Sequence, residues 1–187
     1  MAGTARVNLG MPTLLTDTRF EKIPAHDVVG IRVIISSDEI TDLFDRGFAE
    51  IRKMLTIEGI EPAGPGRAYY FGEVSDTVDI LVGFPVSPVQ ADTLRRGALS
   101  QSGGDIDDIV LHHFRDMKTF HSRHTGAYDG LQETWNQAFT EIEELGCRLP
   151  AVTVGWEEYV TTPCSTQNPE TMITDVFVQV CQVPAHV

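Results

Sequence analysis

Residues 25–37, AHDVVGIRVIISS, form a short run dense in Val and Ile, and such β-branched crowding predicts a buried strand. Ser37 and Asp38 follow as helix-capping residues, and EITDLFDRGFAEIRKMLTIEG then places Phe44, Phe48, Ile51 and Leu55 at helical spacing. Gly59 suits the left-handed position that stops a helix. Beyond the loop EPAGPG, RAYYFGEV and TVDILVGFPV read as two more strands joined by a tight Ser-Asp turn. The predicted order is strand, helix, strand, strand.

A second passage repeats it. From Met117 a strand-like KTFHSRH leads through TGAYDG to LQETWNQAFTEIEELG, which carries Leu131, Trp135, Ala138 and Ile142 at helical spacing before Gly146; VTVGWEEYV and MITDVFVQV follow as strands. A shift of 87 residues superposes Phe44 on Leu131, Phe48 on Trp135, Ile51 on Ala138, Leu55 on Ile142 and Gly59 on Gly146, with little identity. One such unit has too little apolar surface to fold well alone, so two units sharing a core are expected. The fold class predicted is α+β: duplicated strand-helix-strand-strand modules with pseudo-twofold symmetry, antiparallel sheets and two long helices. Residues 1–187 form a single domain on this reading, with half-modules at about 18–86 and 109–183.

DTRFEKI is expected to hold the first organised strand, and residues 1–16 a loose arm. Between the units, SPVQADTLRRGALSQSGGDIDD reads as a surface excursion with a short helical turn near ADTLRR. A connector this long is either inert or covers a cleft; whether 87–108 act as a lid stays open.

Composition narrows the function classes. The 27 Asp and Glu against 14 Lys and Arg give a net charge of −13, with no basic stripe to override it, so direct nucleic-acid binding is not expected. The 42% hydrophobic content is that of a globular chain. Cys147, Cys164 and Cys181 are odd in number and far apart, which suggests neither a disulfide framework nor a zinc site. No apolar run approaches the length of a spanning helix, and a soluble, cytoplasmic protein is expected. His112, His113, His121 and His124 cluster in the sequence, but neighbouring strand residues point to opposite faces and no ligand spacing is completed; no metal and no cofactor are expected.

The stretch GWEEYVTT carries the candidate chemistry. Strand alternation puts Glu157 and Tyr159 on one face and Trp156, Glu158 and Val160 on the other, so one glutamate alone can enter a cleft between the halves. The same 87-residue shift sets Tyr70 opposite Glu157. A carboxylate there loses hydration, and it is either a receptor for a cation or a poised base. On periodicity alone, an exposed strand glutamate is an equal reading of Glu157, and a core role is the commoner one for Tyr159 and Trp135.

HTGAYDGL at 124–131, Trp135 in the following helix, WEEYVTTP at 156–163 and the terminal TDVFVQV together resemble the GyrI-like small-molecule-binding family, which includes the effector-binding domains of Rob and BmrR type regulators. FEKIPAHDVVGIRV is similar to that family's opening strand pair, so the likeness covers roughly residues 18–181. Two departures stand out: Thr162 precedes Pro163 where the family commonly has Asp, and Tyr69-Tyr70-Phe71 is unusually aromatic.

The resemblance implies a ligand cleft between two halves, with Glu157 as the acid at its floor. A cleft of Tyr70, Tyr128, Trp135 and Tyr159 around Glu157 suits an amphipathic, cationic aromatic compound, and the expected function is a stand-alone effector-binding protein with ligand sensing or sequestration as its role. Some members of the family are hydrolases of cyclopropanoid electrophiles; here Glu157 would be the general base and Tyr159 an oxyanion donor. A third alternative is a protein-protein module such as a gyrase inhibitor. Ligand identity, oligomeric state and any regulatory partner are not readable from the residues.

Overall fold

The structure is a computed structural model that describes residues 18–97, 109–163 and 165–184. The N-terminal arm and residues 98–108 of the connector therefore lie outside the described residues.

Eight strands make one antiparallel sheet: β1 (Thr18–Ile23), β2 (His26–Ser36), β3 (Arg67–Phe71), β4 (Thr77–Val86), β5 (Ile109–Phe114), β6 (Met117–Thr125), β7 (Val154–Tyr159) and β8 (Ile173–Val180). The helices are α1 (Ile40–Ile57), α2 (Pro88–Arg96) and α3 (Leu131–Glu144). This is the α+β architecture that the pattern predicts. Gly59 and Gly146 end α1 and α3 with φ of 66° and 68°, the left-handed stop expected of both. The helical turn near ADTLRR is a nine-residue helix, capped by Ser87 and started by Pro88. The strand β5 went unpredicted, because IVLHHF interrupts its apolar alternation with two histidines.

The strand order is β1-β6-β8-β7-β3-β4-β2-β5. Its centre is the pairing of β3 with β7, where Tyr69 faces Trp156, two positions that the 87-residue shift relates; Ala68 facing Glu157 and Tyr70 facing Gly155 flank them alike. The outermost strands are exchanged. β1 pairs with β6 of the later half, and β5 with β2 of the earlier one.

Two short links force the sheet to curl. β1 and β2 stand six places apart, about 29 Å in a flat sheet, yet only Pro24 and Ala25 join them, a reach of about 11 Å. Arg115 and Asp116 join β5 to β6 under the same constraint. The two flanks must meet at that end. Inside the curl, Phe114 stacks on Tyr69 at 4.2 Å although β2 and β4 separate their strands in the sheet, and Tyr69, Trp156 and Phe177 continue the stack. On the other face, α1 packs over β2 and β4 and α3 over β6 and β8. The middle pair, β3 and β7, is left between the helices as the floor of a trough. No helix among the described residues is long and apolar enough to cross a membrane.

Candidate functional site

Strand parity decides which acid enters the trough. Glu157 lies on the helix side of β7 and is 5% exposed, whereas Glu158 faces the other side and pairs with Arg67 at 3.0 Å. Three donors converge on the Glu157 carboxylate. Trp135 Nε1 donates to Oε1 at 2.7 Å, and the Tyr159 and Tyr70 hydroxyls donate to Oε2 at 2.5 and 3.3 Å. Tyr70 and Glu157, brought face to face by the shift, thus touch across the seam.

Burial pushes the Glu157 carboxyl above its usual range, and the hydrogen bonds from Tyr159, Trp135 and Tyr70, with the field of His124, hold the rise in check. Burial and the adjacent carboxylate push both phenols, Tyr70 and Tyr159, well above the ordinary tyrosine value. They remain protonated donors at neutral pH.

Local sequence explains why the indole reaches this acid. Gly155 lies under Trp135: a Cβ there would sit 2.7 and 2.8 Å from Cη2 and Cζ3 of the indole. Upstream, the His124 ring fills the space beside Gly126 and Gly130, donates from Nε2 to the Ala127 carbonyl at 2.9 Å and meets the Thr134 hydroxyl at 2.9 Å through Nδ1. That pins the HTGAYDG turn to α3 and sets Tyr128 at the rim, its ring 5.7 Å from Tyr159. Thr162, standing where Asp is usual, leaves a turn closed by hydroxyl chemistry: the Thr162 N–H donates to Ser165 Oγ at 2.8 Å, and Ser165 Oγ donates to the Thr162 carbonyl at 2.9 Å.

A cavity of about 720 Å³ opens over Glu157, within the range of small-molecule sites. All five residues singled out in the sequence, Tyr70, Tyr128, Trp135, Glu157 and Tyr159, line it. Trp135 is both a helix-packing and a cavity residue, since it packs against the core that contains Phe120 and Ala138 while its indole edge faces the space. Phe44 and Phe139 add two rings, and Glu73 and Asp129 two more carboxylates; among the described residues the lining contains no Lys, Arg or His. Sequence reading missed Glu73, Asp129 and Phe139. Phe139 sits four residues after Trp135, a spacing that could have extended the aromatic face, whereas the two acids belong to turns and carry no periodic signal. The histidines are dispersed: His112 lies tilted against Phe114, His113 contacts Asp27, His121 lies against Phe177, and His124 holds its turn.

A curled antiparallel sheet bearing two helices, with an open cavity over one buried acid, defines a small-molecule-binding domain. The chain belongs to the GyrI-like small molecule binding domain family, which it matches over residues 16–180. Among solved structures it is similar to SAV2435 bound to tetraphenylphosphonium, with a TM-score of 0.64, 11% identity, and coverage of 89% of this chain and 94% of that one. It is also similar to the C-terminal domain of EcmrR, with a TM-score of 0.64, 15% identity and coverage of 89% and 98%. A hydrolase from Listeria innocua shares the fold with a TM-score of 0.51, 16% identity and coverage of 88% and 91%. No curated protein sequence matches the chain significantly.

Proposed function

We propose that the protein binds hydrophobic, cationic aromatic compounds between α1 and α3 and acts as a sensor or sequestering agent for them. The observation that carries this reading is the charge of the cavity: a buried carboxylate at the floor, two more at the rim, aromatic rings between them and no basic side chain among the described lining residues. A cation entering this space exchanges its hydration for Glu157 and for ring faces that contribute about 0.5–2 kcal/mol each. The cation-bound relative gives the first probe. Tetraphenylphosphonium titrated by calorimetry is expected to bind the wild type, and Glu157→Gln to weaken it at least about tenfold. Unchanged affinity of that variant for every hydrophobic cation tried would overturn the proposal.

A second reading, hydrolysis of an electrophilic small molecule, has one observation in its favour: burial raises Glu157 toward the range of a general base. Both phenols stay protonated, so the nucleophile would be water activated by Glu157, with Tyr159 donating to the developing oxyanion. This reading requires turnover. Product seen by mass spectrometry with wild type and absent with Glu157→Gln would establish it, and stoichiometric binding alone would remove it. The open cavity counts against the protein-protein alternative, which calls for a closed cleft and a broad apolar patch.

A further inference from the structure

The cavity has a direction. Its floor residues on β7 and the loop before it are Tyr159, Glu157, Gly155 and Thr153, every second position along an extended chain, so the floor runs about 20 Å along the strand. Tyr128 and Asp129 stand at the Tyr159 end, since the Tyr128 ring packs against Tyr159. At the opposite end the Gly72 N–H donates to the Thr153 carbonyl at 2.8 Å, which fixes the turn carrying Glu73 and Val74 beside Thr153. Counting strand residues from Glu157 to this end places the backbone of Glu73 about 13–17 Å from that of Glu157 along the trough.

The two carboxylates differ in kind. Glu157 is buried and held by three donors, whereas Glu73 is exposed on the rim and makes no hydrogen bond or ion pair among the described residues. Asp129, the other rim acid, precedes α3 in its first turns, where a negative charge already complements the helix N-terminus. Glu73 has no such structural task. Val74 and Leu149 are apolar residues of the same lining.

We infer that the trough is built for elongated dications, with one positive charge on Glu157 and the second on Glu73, joined by an apolar spacer that runs along the Trp135 indole covering Gly155 and on past Thr153. This rests on the cation-binding reading above and names the class of cation. A single charge satisfies Glu157 alone. A second, at the matching distance, gains an exposed ion pair without a second loss of translational freedom.

The test is a series of bis-quaternary ammonium alkanes of increasing chain length, titrated beside tetraphenylphosphonium against wild type, Glu73→Gln, Asp129→Asn and Glu157→Gln. Wild-type affinity should peak at one chain length, on the order of the 13–17 Å that separates the two backbones. Glu73→Gln should lower that peak roughly three- to five-fold more than it lowers tetraphenylphosphonium affinity, near the upper limit for an exposed pair, and so remove the maximum; Asp129→Asn should keep it. A series without a maximum in wild type, or a maximum that survives in Glu73→Gln, overturns the inference even where the monocation binds as expected. Failure of the parent reading looks different, because Glu157→Gln would then bind the monocation and the whole series as wild type does.

Discussion

Replacing Tyr159 with Phe deletes one hydroxyl and keeps the ring, so its contacts with Phe44 and Phe48, at 5.9 and 5.8 Å between centroids, survive. The lost bond is a 2.5 Å donation to a carboxylate that is 5% exposed, and hydrogen bonds to charged groups contribute about 1.5–3 kcal/mol. Trp135 and Tyr70 still donate, and the long Tyr70 bond at 3.3 Å can shorten, so the expected loss is about 2 kcal/mol with Glu157 ionised. In a protein of this size that corresponds to a melting temperature lower by about 4–8 °C. The bond favours the charged form of Glu157, so the penalty must shrink as the pH falls through the raised value of this carboxyl, toward the ~1 kcal/mol of a neutral bond. Urea denaturation of both proteins over a pH series from about 7.5 down through the acid range measures the two numbers. A difference below about 0.5 kcal/mol throughout, or one that grows toward acid, would refute the electrostatic account of the site.

Three further outcomes follow from the geometry. Gly155→Ala should push the indole off Glu157 at a cost of about 1–3 kcal/mol, red-shift the tryptophan emission and weaken ligand binding; unchanged emission would mean that the strand yields instead. Affinity for a permanently charged cation should fall with acidification beginning above the ordinary glutamate value of 4.5, because Glu157 gains its proton early; a flat titration down to that pH contradicts the raised carboxyl. Asp175 behaves oppositely. Burial works against its charge, but the two-pronged Arg123 bond at 2.7 and 2.9 Å, together with His121 at 3.0 Å, holds it well below the usual aspartate range. The stability it contributes is present above its ordinary value of 3.8 and disappears as the pH drops through the depressed one, so Asp175→Asn should lose about 2 kcal/mol near neutrality, by denaturant titration, and converge with wild type in strong acid.

The fold was readable where a single physical rule governs a segment. The apolar stripe of α1 and α3, the two stopping glycines and the alternation around Glu157 each follow from local geometry, and each matches the structure. The helix faces are slightly rotated from the periodicity: Leu43 and Gly47 are buried, and Phe44 and Phe48 only partly so, because those two rings turn toward Tyr159 and the trough. What escaped was long-range. Nothing in TRFEKI says that it pairs with residues 117–122, and IVLHHF hides its strand character behind histidines whose partners include Phe71 across the curl and Asp27 on the neighbouring strand. Glu73 and Asp129 join the site through turns, whose residues obey no period. The Glu157 cluster was half legible: parity and the internal shift pointed to Tyr70, Tyr159 and the acid, but the indole donation depends on the empty side of Gly155, which is visible only in three dimensions.

The exchanged outer strands tie the earlier and later parts of the chain together, so unfolding is expected as one cooperative transition. A cut within the connector after α2 would yield an N-terminal piece without β5 and a C-terminal piece without β1, each with a bare sheet margin of the kind that invites aggregation. Neither piece should hold structure by itself, yet each carries the strand its counterpart lacks. Mixed together, they should reassemble by mutual complementation, slowly, since most of the pairings span a large part of the chain.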